Sequence, residues 1–344
     1  MDVLNTELVW IDTRCYRKFP VRDSLSKKPY EEEDDYQIPT DFEEIDEYAD
    51  LLIKYEKNTF WISISSPKDL IGFVNGKFGK NRKMIEDMTG ATVLMPGRNQ
   101  EEIVIKGQSK NSVGSAYRRI AETIKSGRFH QDFTHFISIP INAKEVQESF
   151  LRFKDDVLRN FKKVRGIDES LFQEPKKMHL TITTLVLLDN RDKLKAEAIF
   201  QKCKNEIVNF LDGKTLEVNV KGIEYMNDDP AEVDVLYAKV EEVDDDSCLQ
   251  IVANMLMNSF TDNDLSKKQY DQVKLHITLM NTSFRSKGAA DESRQRITFD
   301  ARPILEKYED YDFGQMVLSE VHISIRYSTG ADGYYMPNNK ISLN

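Results

Sequence analysis

The sequence predicts an α+β protein built from two different folded modules behind an N-terminal tail. Three observations carry this: a length of 344 residues, a β-α-α-β-β-α pattern over 58–127, and a six-residue pattern at 177–182 that returns at 274–279. A chain this long exceeds one ordinary core and fits two domains plus tails. The expected division is 1–57 as a tail, 58–127 as the first module and 130–344 as the second.

Apolar residues at 40% and charged residues at 31% are those of a soluble globular protein, and no apolar run reaches bilayer length. No membrane partner is expected. The opening "MDVLNTELVW" lacks a basic stretch leading into an apolar core, so nothing marks it for secretion. Cys15, Cys203 and Cys248 are odd in number and far apart, against both a disulfide framework and a zinc cluster. A reducing home, nuclear or cytosolic, follows. The net charge of −10 is segregated: residues 31–50 carry eleven acidic side chains and no Lys or Arg, whereas 59–128 carry twelve Lys/Arg against six Asp/Glu. A basic module sits in an acidic chain.

Taken in order, Trp10, Ile11 and Tyr16 are possible anchors in the tail. Thr40 with Glu43 forms a capping box before Phe42, Ile45, Ala49 and Leu52, which predicts a short acidic amphipathic helix. In the first module "TFWISIS" alternates as a strand, "PKDLIGFV" is helical, and "NGKFGKNRKMIEDMTG" turns through glycines into a second helix. "ATVLMP" and "EEIVIKG" are strands, and "KNSVGSAYRRIAETI" closes the unit with one apolar face.

That order, with Gly76-Lys77-Phe78-Gly79 joining the two helices, resembles the KH domain, a family that binds single-stranded RNA or DNA. Glycines there let the backbone approach a phosphate chain, and the next helix presents the positive end of its dipole. Lys77, Lys80, Arg82 and Lys83 add charge. The family usually places apolar residues where this chain has Asn75 and Arg82. Phe78 at the tip either stacks on a base or packs on the neighbouring module.

The second module opens with the strand "FTHFISIPI" and the helix "AKEVQESFLRFKDDVLRNF". The first six-residue pattern comes next, then a helix at 190–211, the strands "TLEVNVKGI" and "VDVLYAKV", and a helix near 245–260. After the second pattern, "MVLSEVHISIRY" and "GYYMPNNKISL" finish as strands. This is a mixed fold with a loose internal duplication.

Alternation along a strand puts Lys177, His179, Thr181 and Thr183 on one side, with Met178, Leu180 and Ile182 behind; Lys274, His276 and Thr278 repeat the arrangement. If the two strands are neighbours, imidazoles, hydroxyls and ammoniums converge on one phosphate-binding groove. Cleaving a phosphodiester needs one group to take a proton and another to give one, and imidazole titrates near neutral pH. His179 and His276 fit those roles. Thr181 and Thr278 can donate to phosphoryl oxygens, and Lys177 and Lys274 are candidate substrate contacts. Two histidines with no third ligand are too few for zinc, so neither metal nor cofactor is expected. His322 in "VHISIR" has Glu320 in place of the lysine and reads as structural, whereas His135 and His130 read as structural or solvated.

His179-Leu180-Thr181-Ile182 and His276-Ile277-Thr278-Leu279 resemble the motifs of the 2H phosphoesterase family over roughly 130–344. That resemblance implies a duplicated α/β domain whose two H-x-T motifs face a central groove. It also implies catalytic histidines, phosphate-binding threonines and a metal-independent phosphodiesterase acting on RNA or on cyclic or 2′,5′ linkages. Some relatives only bind nucleotides, so a non-enzymatic adaptor is the alternative. The module order, with "IDTRCYRKFP" and "GIEYMNDDPAEVDVLYAKV", is similar to a family of subunits of the helicase-containing activating signal cointegrator complex. This implies a nuclear protein in transcription coactivation and alkylation-damage repair.

Overall fold

The computed structural model describes residues 8–11, 14–17, 48–97, 100–244, 246–268, 270–286 and 297–343. The chain divides into two units, 1–47 and 48–344. In the first, β1 (Leu8–Ile11) pairs antiparallel with β2 (Arg14–Arg17), with Trp10 opposite Cys15. The predicted acidic helix lies mainly outside the described residues; Tyr48–Asp50, at its expected end, is a turn.

Residues 54–128 form a four-stranded antiparallel sheet under three helices. Its elements are β3 (Lys54–Glu56), β4 (Thr59–Ser65), α1 (Lys68–Asn75), α2 (Lys80–Thr89), β5 (Thr92–Leu94), β6 (Glu102–Gly107) and α3 (Lys110–Arg128), with strand order β3-β4-β6-β5. Ile62, Ile103 and Ile105 from the strands meet Val74, Ile85, Val113, Ala116 and Ile120 from the helices in one core. The hydroxyl of Ser109 accepts the Ser112 N–H at 3.1 Å and so caps α3. The edge strand β3 has no sequence signature, because all three of its residues are exposed. A tight turn makes it, with Lys57 and Asn58 both at positive φ, the backbone that matches strand twist in a two-residue hairpin.

The remainder is an eight-stranded sheet. Its elements are β7 (His135–Pro140), α4 (Lys144–Phe161), β8 (His179–Leu185), α5 (Asn190–Leu211), β9 (Leu216–Tyr225), β10 (Val235–Glu242), α6 (Cys248–Thr261), β11 (His276–Asn281), α7 (Arg302–Tyr308), β12 (Asp312–Leu318), β13 (Glu320–Ile325) and β14 (Pro337–Ser342). The strand order is β12-β9-β10-β11-β8-β7-β13-β14, all neighbours antiparallel. This is two half-sheets of four, joined where β11 meets β8.

The duplication extends to the register. In β7–β8 the pairing passes from Ser138–Thr181 to Ile137–Thr183 and skips Ile182. In β10–β11 it passes from Tyr237–Thr278 to Leu236–Met280 and skips Leu279. Both motif strands thus carry a bulge immediately after the threonine, and a bulge re-aims the side chains beyond it. "MVLSEVHISIRY" is two strands rather than one. β12 pairs with β9 at one edge, and after Ser319 β13 inserts between β7 and β14 on the other half. An alternating pattern continues across that change of partner, so the sequence reads as a single strand. β14 is also shorter than read, since Gly333–Met336 belongs to the preceding loop.

Arg128 joins the two modules. At the end of α3 and nearly fully buried, it donates to both Asp192 carboxylate oxygens at 2.6 and 2.9 Å and to the Val186 carbonyl at 2.6 Å. Asp192 also accepts the Leu188 N–H at 2.9 Å, so the carboxylate is held on every side. Removing one member of a buried pair strands the other. Arg128→Ala is expected to lower the unfolding free energy by about 3–5 kcal/mol in urea titration. Arg159→Ala, at an exposed pair with Asp156, should cost about 0.5 kcal/mol or less.

Candidate active site

The core faces of β8 and β11 place the site. Leu180 and Ile277 are fully buried and directly paired. Continuing that antiparallel register sets His179 opposite Thr278 and His276 opposite Thr181, all four on the face turned away from the core. The two motifs therefore cross: in the register each histidine lies opposite the threonine of the other copy. All four side chains are half-buried and retain an open side.

The two histidines are fixed in the same way. Nδ1 of His179 donates to the Lys177 carbonyl at 2.7 Å, and Nδ1 of His276 to the Lys274 carbonyl at 2.7 Å. A carbonyl only accepts, so Nδ1 carries the proton and Nε2 of each neutral ring is left bare toward the groove. Each ring also rests against aromatics: His179 against Phe136 (5.1 Å between centroids) and Tyr335 (5.6 Å), His276 against Tyr237 (5.3 Å). The predicted lysines lie beside those aromatics. Nζ of Lys177 is 5.6 Å from the Tyr335 ring and 3.1 Å from the Glu174 carboxylate; Nζ of Lys274 is 4.6 Å from the Tyr237 ring. Lys177 belongs to a helical turn, Pro175–Lys177, rather than to the strand.

The bulge corrects one expectation. Thr183 pairs with the buried Ile137 and its hydroxyl meets Ser266 at 2.6 Å, so it leaves the groove, as Met280 does in the other copy. Several groove residues were not read from the sequence. Lys239 is opposite His276, and its side chain lies over Gly222, where a Cβ would come within 2.5 Å of Cε. Ser138 bonds the hydroxyls of Ser324 and Tyr334, each at 2.9 Å. These partners come from segments distant in sequence and carry no repeated pattern. His322 is buried, with Nε2 2.9 Å from Glu320 and its ring against Tyr334. His135, also buried, meets the Thr134 hydroxyl at 2.8 Å, and His130 meets the Ser126 carbonyl at 2.7 Å.

In the KH-like module Gly76 and Gly79 both have positive φ, and a Cβ on Gly76 would meet the Asn81 backbone at 2.9 Å. Between them Phe78 is left-handed (φ 55°) and 96% exposed. It does not pack on the second module. Lys77, Lys80 and Lys83 are exposed around it, whereas Arg82 is half-buried with Nε buried and unpartnered.

Among the described residues one trio brings metal-ligand atoms within 4.8 Å of one another: Glu242, Asp246 and Cys248. Its carboxylates already serve Lys214 (2.8 Å) and the Leu249 N–H (2.8 Å). Burial raises the Cys248 thiol above its usual range, which disfavours the thiolate a metal needs.

The family model for the AKAP7 2'5' RNA ligase-like domain matches residues 133–343. The chain belongs to this family. A KH-domain model matches residues 62–122. Mouse activating signal cointegrator 1 complex subunit 1 is 40% identical over 350 residues, covering 97% of this chain and 98% of the mouse protein. An uncharacterized Schizosaccharomyces pombe protein is 26% identical over 176 residues, 51% of this chain and 78% of its own. Among solved structures, TT0787 of Thermus thermophilus is similar at 16% identity and TM-score 0.38, covering 61% of this chain and 97% of that one. Escherichia coli LigT complexed with NADP+ is similar at 12% identity and TM-score 0.35, covering 62% and 98%. The 2′5′ RNA ligase-like domain is thus the eight-stranded part, and it contains both histidine motifs.

Burial, opposed by the Lys177 carbonyl and reinforced by the neighbouring His276, lowers His179 to about 4; burial also lowers His276. Both rings are then neutral in the free protein at pH 7. Because the unfolded chain binds a proton near pH 6.5 that folded His179 refuses until about 4, stability is full above 6.5 and falls as pH drops between those values. His135, also near 4 through burial, adds to the same slope. NMR titration is expected to keep His179 neutral at pH 5.5, and His179→Gln should flatten the acid loss of stability. A midpoint near 6.5 would contradict the described burial.

Proposed function

We propose that the chain is an RNA-binding phosphodiesterase in which the KH module captures a single strand and the crossed histidine motifs cleave a phosphodiester. The observation that supports this is the crossed register, which brings two imidazoles, each with Nδ1 held on a backbone carbonyl and Nε2 left bare, and two threonines onto one face of neighbouring strands. One imidazole takes the proton of the attacking oxygen while the other delivers a proton to the departing oxygen, and the P–O bond to that oxygen breaks. An anionic phosphodiester between the rings favours the protonated form of one of them, which supplies the acid. The hydroxyls of Thr181 and Thr278 donate to the phosphoryl oxygens as charge builds there, and Lys177 and Lys274 add a positive field. The two imidazoles supply both proton transfers, so the step needs no Lewis acid.

The name of the mouse relative attaches that protein to the activating signal cointegrator 1 complex. We infer the same assembly for this chain, with its helicase, and a nuclear place of action. Co-purification of the full chain with the helicase from nuclear extract tests that part.

With short RNAs in excess chelator, His179→Ala and His276→Ala are each expected to lower cleavage by about 10²–10⁴-fold, and Thr278→Val by roughly 10²-fold. His322→Ala should retain most activity. Turnover that depends on a divalent ion, or that survives both histidine changes, would overturn the mechanism; tight binding without turnover would leave an adaptor. For the first module, changing Lys77, Lys80 and Lys83 together to Glu should weaken single-strand binding and reduce the salt slope by about 0.7 per lost contact. An unchanged slope in fluorescence anisotropy would move the nucleic-acid surface elsewhere.

A further inference from the structure

We propose that Tyr327 is a nucleobase-stacking station for the single strand that leads into the histidine groove; this rests on reading the groove as a nucleic-acid site. Tyr327 lies just past β13 in a turn, with φ at 60° and its side chain 77% exposed. A bulky residue with a left-handed backbone is an outlier, and such strain is retained where the residue has a task. Burial does not account for it.

The groups beside the ring do. The guanidinium of Arg326 is 4.4 Å from the Tyr327 centroid and 3.9 Å from that of Phe133. Arg326 is itself fixed, donating to the Phe133 carbonyl at 3.1 Å, with Asp132 at 3.6 Å. Phe133 meets Phe136 edge to face at 6.5 Å, and Phe136 lies 5.1 Å from the imidazole of His179 and 5.0 Å from Tyr335. A packed run of rings, in which Phe136 is buried, therefore links the exposed Tyr327 to the reacting centre, and only the outer end, with its cation, is open to a base. Rings that accept the π-face of any base, interleaved with positive charge, suit single-stranded nucleic acid. The station takes a base several nucleotides from the phosphate between the histidines, and its contribution depends on substrate length.

The test uses the full chain carrying His276→Ala, so that binding is measured without turnover, and oligoribonucleotides of two to eight residues in fluorescence anisotropy. Tyr327→Ala is expected to weaken the eight-residue RNA by about 5–100-fold, as loss of one stacked base implies, and to leave the dinucleotide unchanged. Tyr327→Phe should bind like the parent. Tyr327→Gly, which suits positive φ, should bind like Tyr327→Ala and melt at a higher temperature. An unchanged length dependence in Tyr327→Ala, an equal loss for the dinucleotide, or a lower melting temperature for Tyr327→Gly would overturn the proposal. Binding of an acidic peptide at Tyr327 with RNA unaffected would also overturn it. Loss of cleavage in the parent with the Tyr327 length effect intact would remove the enzymatic reading alone; cleavage with no Tyr327 effect would remove this one alone.

Discussion

The pairing of Leu180 with Ile277 is the constraint on which the site depends. It is where the two half-sheets meet, and both side chains are fully buried. Because side chains alternate along a strand, a slip of one residue on either side would turn its histidine and threonine into the core and bring Leu or Ile into the groove. The cost of burying an imidazole and a hydroxyl without partners excludes that alternative. Apolar packing of the core thus sets the register that crosses the two motifs.

Given that register, the symmetry is close at the backbone and broken in the surroundings. The same Nδ1-to-carbonyl bond and the same bulge occur in both copies. His179, however, is enclosed by Phe136, Tyr335 and, farther off, Tyr334, whereas His276 meets Tyr237, whose ring lies under the ammonium of Lys274. One half is the richer in aromatic rings, and each half has a lysine over a ring beside its imidazole.

Much of this was legible in the sequence because it is local. Period-two alternation identified β8 and β11, and the repeat of lysine, histidine and threonine at fixed spacing singled out His179 and His276 from His322. The glycine-punctuated helix pair marked the first module in the same way. The parts that were not legible depend on pairing between distant segments. Thr183 leaves the groove only because Ile182 is skipped opposite β7, and Tyr237, Tyr335 and Ser324 reach it from segments up to about 150 residues away in sequence. The exchange at Ser319, where the chain passes from one edge of the sheet to the other half, is invisible for the same reason: alternation specifies a strand, not its neighbour.

Phe78 and Tyr327 bear on how the two modules share a ligand. Each is an exposed aromatic with positive φ, one in the basic module and one in a domain whose net charge over 129–344 is −8. An acidic domain repels long polyanions, so the substrate proposed for its groove would be held by local contacts rather than by a long-range field. The basic module, at +6 over 59–128, supplies that field. Arg128 holds the modules together by a buried ion pair, which spares the bound strand the entropy of ordering a loose linker. Under the proposed function, attraction at one module and selection by stacking at the other act on the same strand, with the chemistry confined to the phosphate that reaches the crossed histidines.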